Sequence, residues 1–294
     1  MITILDGGMG GELSRRGAGA TNGLWSAQAL LDAPESVVEV HKDYIAAGAQ
    51  IITTNSYSTI PSYLGKSGLA DRYTELTELA GILAREAVGA NGNGVQVAGS
   101  LPPLSESYRP DLVPSGAVSE PVYEAMVKAL GDNVDLFLCE TMSSGSEAFH
   151  AVSQAFEHGR GKPVMVSWTL NEQPGKGLRS GESVSEAYSM LQEFDVSGYL
   201  FNCTHPEAIL EALYELSHLT DKVIGGYPNR LNTVSPEWTL DNELQTGLRT
   251  DIDVAFFLEY ARRFEDAGAA IIGGCCGIGP EYIRALSASL GGTR

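Results

Sequence analysis

Eight short apolar runs, each followed by a stretch of helical periodicity, predict an α/β chain folded as a (β/α)8 TIM barrel. Two further observations agree. The 294 residues fit one such barrel with modest insertions beyond the usual roughly 250. No linker, low-complexity tract or charge run divides the chain, so residues 1–294 are expected to form a single domain.

The strand candidates, in order, are ITIL (2–5), QIITTNS (50–56), VQVAGS (95–100), DLFLCET (135–141), PVMVSWTL (163–170), GYLFNC (198–203), KVIGGY (222–227) and AAIIGG (269–274). Each is short and mostly apolar, and several are β-branched, as strands buried on both faces should be. Helical periodicity fills 34–49, 71–90, 121–131, 144–159, 183–194, 206–217 and 254–268, and a closing helix is expected over 280–290. Pro121, Pro206 and Pro280 each stand where a first-turn proline belongs. A doubly wound open sheet is the alternative. It normally carries a G-x-G-x-x-G phosphate turn after its first strand, and the glycine-rich DGGMGGE (6–12) does not match that pattern.

Composition narrows the function classes. A net charge of −18 argues against nucleic acid and anionic membranes as partners, because both bind through cations. No apolar run approaches the roughly 20 residues of a spanning helix. The N-terminal MITILDGG has no basic region before its apolar run, so no signal peptide is expected and the cytoplasm is the expected location. Oligomeric state stays open, a homo-oligomer included.

In this fold the active site lies at the carboxyl ends of the strands. Strand one ends at Asp6, Gly7 and Gly8, strand two at Thr53, Thr54, Asn55 and Ser56, and strand three at Gly99 and Ser100. Strand four ends at Glu140 and Thr141, strand six at Asn202, Cys203 and Thr204, and strand eight at Gly273 to Gly277, which include Cys275 and Cys276. Polar groups and cysteines therefore converge on one rim. Cys203, Cys275 and Cys276 form a three-sulfur set suited to a borderline-soft ion such as Zn2+, and catalytic zinc keeps three protein ligands and one open position. The neighbouring glycines allow the turn that aims these side chains at one ion. Cys139 alternates with Glu140, so an inward Glu140 turns Cys139 toward the helices. Taken without the barrel, the adjacent pair would read simply as two small buried hydrophobes.

The stretches GGCCG (273–277), FNC (201–203) and DGGMGGEL (6–13), with the segment at 24–57, resemble the homocysteine S-methyltransferases. The resemblance runs from the first strand to the last. The LWSA segment (24–27) and the compact length look like the branch that uses S-methylmethionine or S-adenosylmethionine; the betaine-using branch typically carries a longer C-terminal arm. Phe201 departs from the smaller apolar residue usual before the Asn-Cys pair. The resemblance implies a zinc ion on Cys203, Cys275 and Cys276. It implies Asp6 and Gly7 beside homocysteine, Glu140 against the substrate ammonium, and Thr54, Asn55 and Asn202 lining the pocket. Asp6 has a plainer reading as the cap of its turn, and Thr54 and Asn55 as loop hydrogen-bonders.

A metal-held thiol is deprotonated, so no separate catalytic base is expected. His41, His150, His158, His205 and His218 lie on predicted helices or just before one and read as surface or packing residues, His205 being the nearest to the metal strand. Trp25, Tyr57 and Trp168 are candidates to face a cationic donor. The loop LRSGES (178–183) receives no role. The competing readings are a selenol or other thiol acceptor, a betaine-type donor, and a non-enzymatic zinc barrel; the lack of a fourth rim cysteine favours catalysis over the last.

Overall fold

The computed structural model describes residues 2–19, 24–89, 94–239 and 246–291. The last residue of the expected 71–90 helix and the final three of the chain lie outside them. The strands are β1 (Thr3–Ile4), β2 (Ile51–Thr53), β3 (Gln96–Leu101), β4 (Leu136–Met142), β5 (Val164–Trp168), β6 (Gly198–Asn202), β7 (Val223–Tyr227) and β8 (Ile271–Ile272). Six fall within the expected runs, and β3 and β4 each extend one residue past theirs, to Leu101 and Met142. They pair in parallel in the order β1-β8-β7-β6-β5-β4-β3-β2. The seam between β1 and β2 is closed by a single bridge from Leu5 to Ile51, with Asp6 N–H donating to the Ile51 carbonyl at 3.0 Å. The fold is the expected (β/α)8 barrel.

The helices are α1 (Met9–Arg15), α2 (Ala27–Asp32), α3 (Pro34–Ala47), α4 (Pro61–Gly65), α5 (Tyr73–Val88), α6 (Gly116–Leu130), α7 (Gly145–His158), α8 (Val184–Ser189), α9 (Pro206–Ser217), α10 (Val254–Asp266) and α11 (Pro280–Leu290). Among the described residues none is long and apolar enough to cross a membrane. Pro206 and Pro280 open α9 and α11 as expected. Pro121 does not open its helix. Helix α6 starts five residues earlier, at Gly116, and accommodates the proline near its start. The apolar contacts of α6 with α5 and α7 outweigh the one backbone hydrogen bond that proline forgoes. Helix α8 is half the expected length; Ser183 and Glu186 fix its start with a reciprocal capping box.

Strand alternation divides the core in two. Leu5, Ile51, Ala98, Leu136, Leu138, Leu200, Tyr227 and Ile271 form a plug inside the barrel. Phe137, Cys139, Val166, Trp168, Tyr199 and Phe201 point outward into the layer beneath the helices. Cys139 therefore packs outside, as expected. So does Trp168, fully buried and stacked 5.7 Å from Tyr199, which removes it from the candidates to face a donor. Phe201 lies beside Trp168, so its departure from the family pattern falls in the packing layer and not on the rim.

The turn from β4 into α7 is locked by a buried carboxylate. Glu147 accepts from both the backbone N–H and the hydroxyl of Ser143 at 2.7 Å, while the Ser144 hydroxyl caps the helix by accepting from Glu147 N–H. Burial nonetheless pushes the Glu147 carboxyl up to about 7. A carboxyl held above its unfolded value of 4.5 takes up protons on folding, so stability falls as pH rises from about 4.5 to 7 and is level above that. At about 1.4 kcal/mol per unit the loss is at most about 3 kcal/mol. Glu147→Gln should flatten this part of the pH profile, measured by urea unfolding between pH 5 and 8; an unchanged slope would contradict the assignment.

Candidate functional site

At the carboxyl end of the barrel a hydrogen-bonded polar layer sits on the apolar plug. Glu140 points inward from β4; its Oε1 accepts from the Ser100 hydroxyl at 2.5 Å and its Oε2 from the Tyr227 hydroxyl at 3.2 Å. Burial raises the Glu140 carboxyl above its ordinary value, and the two hydrogen bonds oppose that rise. Asp6, at the end of β1, accepts from Thr53 N–H at 2.8 Å and from the Thr53 hydroxyl at 2.7 Å. Burial nevertheless pushes Asp6 up to about 7. Asp6 thus ties β1 to β2 beside their seam and presents a carboxyl to the pocket.

Above this layer is a cavity of about 480 Å3, within the range of small-molecule sites. Asp6, Gly7, Thr54, Asn55, Glu140 and Cys203 line it, together with Cys275 and Cys276. Thr54 and Asn55 are engaged with the protein as well. The Thr54 hydroxyl accepts from Ser100 N–H at 3.0 Å, and the Asn55 amide donates to the Ser26 carbonyl at 3.0 Å. Asn202 lies just behind the wall. It is fully buried, and its side chain spends its hydrogen bonds on Thr141 and Ser167.

The three sulfurs meet as expected. Those of Cys203, Cys275 and Cys276 lie within 4.8 Å of one another. A tetrahedral ion with sulfur at about 2.3 Å spaces its ligands roughly 3.8 Å apart, so this set fits a metal with small side-chain adjustments. Cys203 directly follows β6 in a left-handed conformation, φ 49°. Cys275 and Cys276 occupy a turn after β8 that Ile278 N–H closes onto the Cys275 carbonyl at 3.1 Å. The glycines after β1 serve this turn. A Cβ on Gly8 would stand 2.8 Å from the Cys275 carbonyl oxygen, and one on Gly7 would stand 2.4 Å from that of Ile278. Their role is close packing of the first loop on the last, which explains a glycine-rich turn lacking the phosphate-binding pattern. The Cys203 and Cys275 sulfurs pair as a disulfide, with Cα atoms 5.6 Å apart, and Cys276 is free. Burial pushes the Cys276 thiol up to about 11, so without a cation it stays protonated at neutral pH.

Several lining residues were invisible to sequence reasoning. Tyr63, Tyr108, Val234 and Trp238 join Trp25 and Tyr57 around the cavity. Trp25 and Tyr57 meet edge-to-face at 5.8 Å, as do Tyr108 and Trp238 at 5.7 Å. The signal was loop length: Tyr108 and Trp238 stand in the long segments after β3 and β7, on the rim where a barrel builds its pocket. The loop at 178–183 buttresses that wall from outside. Arg179 pairs with Glu172 at 3.0 Å and lies over the Tyr108 ring at 4.8 Å, while Glu172 also accepts from Val234 N–H at 3.0 Å. His205 directly precedes α9. Its Nε2 meets the Leu231 carbonyl at 2.9 Å and pins the loop after β7.

A parallel barrel with three converging cysteines and two buried carboxyls in a cavity at the carboxyl ends of its strands defines an enzyme-like site for a small molecule handled through sulfur. Residues 3–290 match the family model for homocysteine S-methyltransferase, and the chain belongs to that family, a family of methyltransferases. The homocysteine S-methyltransferase of Escherichia coli strain K12 is 32% identical, with 98% of this chain and 94% of the relative covered. The selenocysteine methyltransferase of Astragalus bisulcatus is 30% identical over 96% of this chain and 90% of that protein. A crystal structure of the homocysteine methyltransferase MmuM from Escherichia coli in its metallated form superposes with a TM-score of 0.81 at 29% identity, covering 98% of this chain and 96% of that one.

A thiol count checks the sulfur geometry. Of the four cysteines, two should react with a thiol reagent after metal-free protein is unfolded without reductant, and all four after reduction. Four reactive thiols in both samples would show that Cys203 and Cys275 do not pair.

Proposed function

We propose that this protein transfers a methyl group from a cationic sulfonium donor, S-methylmethionine or S-adenosylmethionine, to the thiol of homocysteine, with zinc on Cys203, Cys275 and Cys276. The observation that carries this reading is the clustering of three sulfurs in the same cavity as Glu140, a buried carboxylate able to take the ammonium of an amino-acid thiol whose sulfur meets the cluster. Three cysteines without a fourth protein ligand among the described residues suit a catalytic ion, which keeps one position for substrate. When bound, zinc supplies a Lewis-acidic position at which the substrate thiol is kept deprotonated at neutral pH.

The chain's own groups do the rest. Glu140, already holding hydroxyl donors from Ser100 and Tyr227, accepts the substrate ammonium; that positive charge offsets the cost of its burial. Asp6 and Gly7 border the same substrate, and Thr54 and Asn55 shape the wall beside it. Trp25 and Tyr57 line the cavity where the donor would sit, and a sulfonium, being cationic, is attracted to the faces of such rings. Among the described lining residues there is no lysine or arginine, which favours a cationic donor over an anionic one. Tyr108, Leu231, Val234 and Trp238 pack over the sulfurs and exclude water from the reacting centre. The sulfur lone pair of homocysteine takes the methyl carbon as the sulfonium C–S bond breaks, and that bond's electron pair returns to the donor sulfur. The step is a displacement that needs alignment more than proton transfer. The selenocysteine methyltransferase among the relatives favours one second reading, a selenol acceptor in the same pocket.

Metal analysis should find about one zinc per chain, lost in Cys275→Ser. Methionine should form from homocysteine with S-methylmethionine or S-adenosylmethionine and not with betaine; turnover with betaine alone would reverse the donor assignment. A selenol tested as acceptor beside homocysteine decides the second reading. Glu140→Gln should raise the KM for homocysteine about 10- to 100-fold, the worth of a hydrogen bond to a charged group, with a smaller change in the donor KM. Equal changes in both would remove Glu140 from the amine site.

A further inference from the structure

Two functional side chains at this rim sit beside backbone that few residues adopt. Thr141, directly after Glu140, has φ 61°, and Cys203 itself has φ 49°; neither is glycine. The register between β4 and β5 also shifts between Cys139 and Met142, so Glu140 and Thr141 stand outside the regular ladder. Such conformations persist only where the surroundings hold them.

One side chain does the holding. Asn202 ends β6 immediately before Cys203 and reaches across β5 to β4. Its Oδ1 accepts from Thr141 N–H at 2.9 Å and from the Ser167 hydroxyl at 2.7 Å, and its Nδ2 donates to Thr141 Oγ1 at 2.8 Å. The amide therefore replaces the ladder bond that the shifted Thr141 lacks, and it links three consecutive strands of the barrel wall. Cys203 N–H continues the tie by donating to the Tyr227 carbonyl at 3.3 Å, while the Tyr227 hydroxyl donates to Glu140. Glu140 and Cys203 thus belong to one closed set of hydrogen bonds running through Thr141, Asn202 and Tyr227.

We infer that Asn202 is a positioning residue that fixes the distance between the amine anchor Glu140 and the sulfur ligand Cys203, and so selects an acceptor whose amine and thiol span that distance. This rests on the proposed reading of Glu140 as the ammonium partner. Asn202 touches neither substrate; it acts through the two residues that do. A purely structural role would weaken turnover of every thiol alike. A measuring role weakens most the acceptor that uses both ends.

The test compares zinc-loaded wild type, Asn202→Ala and Thr141→Val with two acceptors, homocysteine and 4-mercaptobutyrate, which is homocysteine without its amine. Thr141→Val removes the Oγ1 partner of Asn202 and keeps the side-chain shape, so it serves if Asn202→Ala does not fold. The kcat/KM ratio of homocysteine to 4-mercaptobutyrate should fall about tenfold or more in Asn202→Ala, the scale of a small misplacement of reacting groups, and in the same direction in Thr141→Val. Release of zinc to a chelator, read without any turnover, should be about tenfold easier in Asn202→Ala, as for loss of a group that supports a metal ligand. If folded variants keep the wild-type acceptor ratio and the wild-type zinc release, the inference is overturned. If wild type itself methylates neither thiol, the functional reading fails instead, and the two failures are told apart.

Discussion

The cost of placing carboxyl groups and thiols inside a barrel filled with aliphatic side chains governs this structure. The aliphatic side chains of the interior plug give no hydrogen bonds, so the polar groups above them must find partners in their own layer or at the Tyr227 hydroxyl that tops the plug. Ser100 and Tyr227 answer Glu140, Thr53 answers Asp6, and Thr141 and Ser167 answer Asn202. Those partners come from β2, β3, β4, β5 and β7, so satisfying the polar layer also fixes where the strands end relative to one another. The site's precision is a by-product of its desolvation.

The sulfur cluster stands on this layer and is closed from above by aromatic loops. Glycines at 7 and 8 let the first loop press against the turn that carries Cys275 and Cys276, while the loop after β7 is pinned by His205 and Glu172. The pocket therefore has a rigid floor of strand ends and a wall of longer loops. That division suits a reaction in which one partner is gripped at two points and the other is admitted beside it.

Much of this was legible in the sequence because parallel strands buried on both faces leave an unmistakable rhythm. The eight apolar runs located all eight strands, and reading their last residues assembled Asp6, Thr54, Asn55, Glu140, Cys203, Cys275 and Cys276 on one rim. What escaped has physical causes. Helices α1, α2 and α4 are too short to show a period. The start of α6 was obscured because tertiary packing tolerates Pro121 inside it. Trp168 was ambiguous because a strand buried on both faces gives no polar alternation to say which way a ring points. Tyr108 and Trp238 lie in irregular segments whose conformation no local pattern encodes. Asn202 was expected to line the pocket and instead lies behind its wall, because which atoms its amide reaches depends on the register shift in β4, a property of strand pairing and not of composition.

The disulfide partners are 72 residues apart, and the glycine loop that packs on their turn lies more than 260 residues before it. The sulfur site thus has no local precursor. During synthesis Cys203 emerges well before its companions, and the loop at Gly7 and Gly8 waits for nearly the whole chain. An ion captured by all three sulfurs would therefore find them only after the last strand has entered between β7 and β1. The segment that completes the ring is thus the one that completes the sulfur set, so the two are finished together.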